Sequence, residues 1–276
     1  MNIAAKVLTE SLLKSAFGRG ERWARGVATV VFLVSAAYTW NATRGMAGGM
    51  AMPGGWEMSM MWMAMPGQSI AGAAFTFLIM WLAMMIAMML PSSWPMLELY
   101  HKVAVASGVR RPGLATVLAG VGYFAVWGAF GAVVFGAGFG AGAASMKSSA
   151  FSRAVPLLGG VGLIFAGVYQ LSPWKQACLT HCRSPLMFLG HVFRPGLSGA
   201  VRVGATHGLY CAGCCWALML MQAIFGVMSL TVMILVAAVI GAEKLWTRGP
   251  LLARVVGAAS IAIGGYFLLR AAGIFS

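Results

Sequence analysis

The chain contains no aspartate and only five glutamates in 276 residues. Charged residues make up 9% of it, against about 25% in soluble domains. So little charge excludes an ordinary soluble surface and leaves few carboxylates for acid–base work. No Ser-His-Asp set can be drawn, and four of the five glutamates (Glu10, Glu21, Glu57 and Glu98) fall in predicted loops or tails. Cys-His nucleophilic chemistry would need a pocket that sequence does not reveal. The reading is therefore of a binding protein rather than an enzyme. No G-x-x-x-x-G-K-[ST] stretch is present, so no nucleotide-driven step is expected. No signal-peptide pattern is clear, because the first apolar run is long enough to span and lacks a small-residue cleavage site. The five cysteines are an odd number in two tight clusters, which excludes a disulfide framework.

What is abundant is apolar. Hydrophobic residues make up 61% of the chain, and the mean hydropathy is +0.86. Long apolar runs with few charges predict an all-α polytopic transmembrane helical bundle rather than a barrel. Residues 1–22 read as an amphipathic surface segment, with Leu8, Leu12, Leu13 and Phe17 on one face; residues 23–276 read as a single transmembrane domain. Seven spans can be drawn: about Trp23–Arg44, Ser69–Pro91, Gly113–Gly138, Ala154–Pro173, Val201–Phe225, Val227–Glu243 and Leu251–Gly273. The division at Phe225-Gly226 is the weakest, and six spans result without it. With the N-terminus in the cytoplasm, fifteen of the nineteen lysines and arginines fall inside, and only Arg44, Lys147, Arg153 and Arg270 fall outside. The positive-inside bias then places the C-terminus outside. This scatter of basic residues over short loops also explains the +14 charge without nucleic acid. The 37 glycines suit close helix packing in lipid. Gly128, Gly131, Gly136, Gly138, Gly140 and Gly142 in the third span, and Gly159, Gly160 and Gly162 in the fourth, read as packing surfaces.

There are 21 methionines. Eight of them, Met46, Met50, Met52, Met58, Met60, Met61, Met63 and Met65, crowd the predicted outside loop 45–68. This loop also holds Glu57 and no lysine or arginine. Clustered thioethers in an aqueous, oxidising compartment suit capture of a soft cation. The competing reading is an interfacial or re-entrant helix with Trp56 and Trp62 in the headgroup belt. In the next span Met80, Met84 and Met88 recur at i, i+4 and i+8, with Met85 and Met89 beside them, a ladder along one helix side. Helix packing would select the same spacing. Pro91 and Pro95 are expected to end or kink this helix. Glu98 and His101 follow at i, i+3, a spacing for an ion pair or a shared metal.

The densest chemistry is T-H-G-L-Y-C-A-G-C-C-W, from Thr206 to Trp216. His207, Cys211, Cys214 and Cys215 stand four, three and one residue apart, so one helical face can present an imidazole and two or three thiols. A second cluster, Cys178, His181 and Cys182, lies in the predicted inside loop 174–200, with His191 nine residues on. By topology both clusters reach the cytoplasmic membrane surface, which predicts a shared site. Buried cysteines acting as small hydrophobes are the bland alternative.

Three stretches carry a resemblance: M-W-x-A-M-M-x-A-M-M-L-P-S from Met80, C-x-x-H-C-R-S-P from Cys178 and H-G-x-Y-C-x-G-C-C-W-A-L-M from His207. In this order they resemble a bacterial family of predicted metal-binding integral membrane proteins, a domain of unknown function. The resemblance covers roughly Ile70 to Gly273 and implies a multi-pass inner-membrane protein with a metal site. It implies no substrate.

The leading expectation is Cu(I) binding and transfer. Outside methionines would collect copper, Met80, Met84 and Met88 would offer thioether steps, and Cys178, Cys182, Cys211 and Cys214 with His181 or His207 would hold it more tightly inside. A thiol–disulfide electron relay through Cys211-x-x-Cys214 is the rival. A third reading is a structural or assembly subunit of a metalloenzyme complex, with zinc as the metal. The partners expected are the lipid bilayer and a membrane or periplasmic metalloprotein; nucleic acid is not expected, and oligomer formation is left open.

Overall fold

The computed structural model describes residues 3–45, 48–65 and 67–271, with side chains at 20–45, 48–65 and 67–270. The predicted amphipathic face of residues 1–22 and Met46 lie outside the described side chains. The main chain there shows no break at residue 22: one helix, α1, runs Ile3–Gly45. It is followed by a hairpin, β1 Gly49–Met52 and β2 Trp56–Ser59, and a 3-10 turn Met60–Trp62. The bundle continues with α2 Ile70–Ala106, α3 Pro112–Lys147 and α4 Ser149–Leu171. Two short helices, α5 Pro173–Arg183 and α6 Pro185–Val192, precede α7 Leu197–Gly226, α8 Leu230–Leu245 and α9 Gly249–Ala271. The all-α expectation holds.

Six of these helices have the length and apolarity to cross a membrane: Gly20–Gly45 within α1, then α2, α3, α4, α7 and Gly249–Arg270 within α9. Their outward faces leave large apolar side chains exposed, including Leu33, Val34, Val133, Phe165 and Val255, the pattern of a surface meant for lipid. Helix α8 is the short one. Its 16 residues span about 24 Å at 1.5 Å per residue. Its first residues share a cavity of about 1390 Å³ with Arg44 and Arg270, whereas Lys244 near its last turn reaches Cys211. Gly226, where φ is +125°, makes the turn between α7 and α8, and among the described residues it is six helices, without α8, that are long and apolar enough to cross a membrane.

Three expectations change. Helix α2 continues past Pro91 and Pro95 instead of ending there. Proline removes a backbone donor, and two hydroxyls in this stretch bond back to the helix, Ser92 Oγ to Met89 O at 3.1 Å and Ser93 Oγ to Leu90 O at 3.2 Å. The Met-rich loop is neither an open strand of ligands nor an interfacial helix. It is a hairpin folded onto the bundle, where Trp56 Nε1 donates to Ser152 O at 2.9 Å and Ser152 Oγ donates to Pro53 O at 2.7 Å. Met52, Met58 and Met61 are buried there, while Met50, Met60 and Met65 are exposed. Glu98 binds Arg25 at 2.9 Å and Lys102 at 3.1 Å, and His101 Nδ1 shares a hydrogen bond of 3.0 Å with Thr116.

The glycines of α3 act mostly as sockets. Gly131 takes the Trp81 ring, Gly138 takes Trp62, and Gly142 takes Met58 and Trp62, whereas Gly136 and Gly140 face open space. Gly122 and Gly204 bring the backbones of α3 and α7 into direct contact, and a Cβ at either would strike the other helix's main chain. That close approach sets the position of the cysteines, which stand about two to three turns further along α7.

Candidate metal centre

Helix α7 starts after Gly196, whose φ of +92° makes the turn from Pro195. Its regular spacing does what the sequence implies. Cys211, Cys214 and Cys215 are all buried, and their Sγ atoms lie within 4.8 Å of one another. Cys214 Sγ is 3.2 Å from Cys215 Sγ and also 3.2 Å from the Cys211 carbonyl, to which it donates. Both Cys214 and Cys215 therefore face the pocket.

The second cluster joins from α5. Ser172 caps this helix, accepting from Lys175 N, and Pro173 occupies its first turn. Cys178 and Cys182 stand one turn apart on α5 and meet the adjacent residues Gly213 and Cys214 of α7. Cys182 Sγ lies 3.8 Å from Cys214 Sγ, and Cys178 Sγ rests against Gly213, the residue with no side chain to block it. Burial pushes the Cys178 thiol above its ordinary pKa, with Lys175 acting in the opposite direction. All five cysteines thus collect around one stretch of α7, and among the described residues they are free thiols.

The histidines do not follow. His181 is exposed and stacks on Tyr210, with ring centroids 4.2 Å apart, while its Nδ1 bonds Ala177 O at 2.9 Å. His191 is likewise turned to its own helix, Nδ1 to Met187 O at 2.8 Å. His207 is buried between Tyr123 and Phe188. Its Nδ1 has no hydrogen-bond partner among the described residues, one helical turn before Cys211. The tight group is the three thiols, and neither His181 nor His207 belongs to it.

Sequence reasoning missed the polar groups that surround these thiols. Tyr123 Oη lies 2.9 Å from Cys211 Sγ. Lys244 Nζ donates to Cys211 Sγ at 3.1 Å and to Ser92 Oγ at 3.3 Å. Lys175 Nζ binds Glu243 Oε2 at 2.6 Å and also donates to the Cys214 carbonyl. Gln170 Nε2 reaches the other Glu243 oxygen at 3.0 Å. Burial works against the Lys175 ammonium, yet Glu243 and the nearby thiols hold its pKa above the usual lysine value. Lys175 and Lys244 are among the fifteen basic residues that the charge count assigns to the inside segments, and both are buried, at 0% and 6% exposure. The signal for them was an ionisable Glu243-Lys244 pair closing an apolar run, a combination that is costly in a membrane and marks function.

The methionine ladder reaches the same place. Met80, Met84 and Met88, with Met85 and Met89, are all buried in one cluster with Cys211, Cys214 and Cys215. Met84 Sδ accepts from Gln222 Nε2 at 3.5 Å. Four residues beyond Met88 on the same helix side stands Ser92, the residue that Lys244 links to Cys211. Buried, clustered thiols approached by thioethers form a soft donor set suited to Cu(I) or zinc and unsuited to hard cations. Residues 78–267, about two thirds of the chain, match a family model described as copper chaperone, PpoB2. The chain belongs to this copper chaperone family. The matched segment holds the ladder from Met80, both cysteine clusters, Tyr123 and Lys244, and leaves out the methionine hairpin. No curated protein and no solved structure matches the chain.

Proposed function

We propose that the protein is a multi-pass inner-membrane copper chaperone that takes Cu(I) as cargo from the hairpin end of the bundle to the thiol pocket. Orientation follows the charge bias: the hairpin end faces outward and the cysteines face the cytoplasm. The observation that carries the reading is the buried row Met80, Met84, Met88 continuing to Ser92, where Lys244 bridges to Cys211. Thioethers bind Cu(I) weakly enough to release it, and thiolates bind it tightly. The ladder supplies the weak steps and Cys211, Cys214 and Cys215 the strong site, with Cys182 and Cys178 as exit ligands nearer the surface. A membrane or periplasmic metalloprotein partner would supply or accept the ion.

The test is Cu(I) stoichiometry of the purified protein, measured by competition with a chromophoric chelator. The wild type is expected to bind Cu(I) stoichiometrically, and Cys211→Ser with Cys214→Ser is expected to abolish this. Undiminished binding in the double variant would sink the proposal. One distance favours a second reading. The 3.8 Å separation of Cys182 and Cys214 places a dithiol pair across α5 and α7, so a thiol–disulfide relay would use these two rather than Cys211 and Cys214. A Cys182–Cys214 disulfide that cycles in acid-trapped cells, in protein free of metal, would favour the relay.

A further inference from the structure

We propose that Lys244 sets the charge class of the ion that the thiol pocket accepts, selecting a monovalent soft cation over a divalent one; this rests on the copper reading above.

The pocket contains two buried lysines, and only one of them leaves a net charge beside the thiols. Lys175 is neutralised by Glu243, at 2.6 Å with both side chains almost fully buried. Adjacent residues on a helix point about 100° apart. Glu243 accordingly faces Lys175 and Gln170, while Lys244 faces Cys211 and Ser92. The partners that the structure gives Lys244 Nζ are a hydroxyl and a sulfur, with no carboxylate between them. Its ammonium is thus a fixed positive charge 3.1 Å from the Cys211 sulfur.

An ion held by that sulfur sits within a few ångströms of the ammonium in a buried pocket, where salt does not screen it. Coulomb repulsion scales with the product of the charges. The same lysine therefore opposes a divalent cation twice as strongly as a monovalent one. The thiols alone suit both Cu(I) and zinc; the lysine separates them.

The measurement uses full-length protein in lipid nanodiscs. Ag(I), a redox-inert monovalent soft cation, and Zn(II) are each titrated against competing chelators, and the ratio of their dissociation constants is the readout. Lys244→Met is expected to shift the ratio toward Zn(II) by at least about tenfold, whereas Lys244→Arg, which keeps the charge, is expected to leave it within about threefold. A lysine that merely ties α8 to α2 would, on removal, weaken both ions together and leave the ratio alone. An unchanged ratio in Lys244→Met overturns the proposal while leaving the site intact. Lys244→Gln gives the same comparison if the Met variant does not fold. Wild-type protein that binds neither ion would overturn the copper reading and this proposal together.

Discussion

Cys214 is the residue on which the site turns. It is the sulfur that touches both Cys215 on its own helix and Cys182 on α5, and its carbonyl accepts from Lys175. Cys214→Ser is expected to lower Cu(I) affinity more than Cys178→Ser, because Cys178 packs on Gly213 and stands outside the tight thiol group. Chelator competition on the two single variants checks this. The Lys175–Glu243 pair has a different role, since it holds α5 against α7 and α8. Glu243→Gln strands a buried ammonium, and breaking such a pair costs about 3–5 kcal/mol. A fall of that size in unfolding free energy is expected in denaturant titration, and the chain loses thermal stability accordingly. The pair also has a sign in pH. Because the folded pKa of Lys175 lies above its ordinary value, its contribution is fully present below about pH 10.4 and is lost as pH rises through the folded pKa. Unfolding midpoints are expected to fall on the alkaline side in wild type and to show less of this fall in Glu243→Gln. Of this chemistry the sequence revealed the thiols and the methionines, because helical spacing alone aligns Cys211 with Cys214 and Met80 with Met84. It did not reveal Tyr123, Lys175 or Lys244, whose partners lie 88, 39 and 33 residues away in the chain. His181 was misplaced because i, i+3, i+4 spacing defines a helix face but not which neighbour that face meets.

At the scale of elements, α2 is both a packing helix and a row of sulfurs, and the two roles can be separated. Met84→Leu conserves volume and is expected to cost less than about 1.5 kcal/mol, while it removes the thioether that accepts from Gln222. Rates of Cu(I) uptake into vesicles should fall with little change in unfolding midpoint; an unchanged rate would reduce the row to packing. The sequence located α2 well but ended it too early. Pro91 and Pro95 predict an end or a kink when read locally, yet α2 continues past both to Ala106. The hairpin was illegible for a related reason. Its glycines at 54 and 55, with φ of +108° and +73°, allow a tight turn, yet clustered methionines with tryptophan fit equally an open copper-catching loop and a helix lying on lipid.

The bundle as a whole has two unlike ends. One carries the hairpin, Arg44 and Arg270 around a large cavity; the other carries α5 and α6, and the thiols lie midway along α7, Cys211 being 14 residues from its first residue and 15 from its last. The charge bias survives the burial of Lys175 and Lys244, since the remaining inside lysines and arginines still far outnumber the four outside. A reporter active only outside the cytoplasm is expected to work when fused after Ser276 and to be silent when fused in the 174–200 segment. The reverse result would invert the direction proposed for copper.

The chemistry of the pocket is also ordered in time. Arg183 on α5 donates to the carbonyls of Glu243 and Trp246, each at 2.6 Å, and of Thr247 at 3.2 Å, so α5 is held by a segment made some sixty residues later. A ribosome that has just released α7 has already delivered all five thiols, but not Lys244, Glu243 or the carbonyls that anchor α5. Through that interval the nascent chain holds reactive sulfur without the lysine, the ion pair or the clasp that organise it. Under the copper reading proposed above, an ion met too early would find thiols free to bind it in any geometry, so biogenesis is the stage at which the site is least protected.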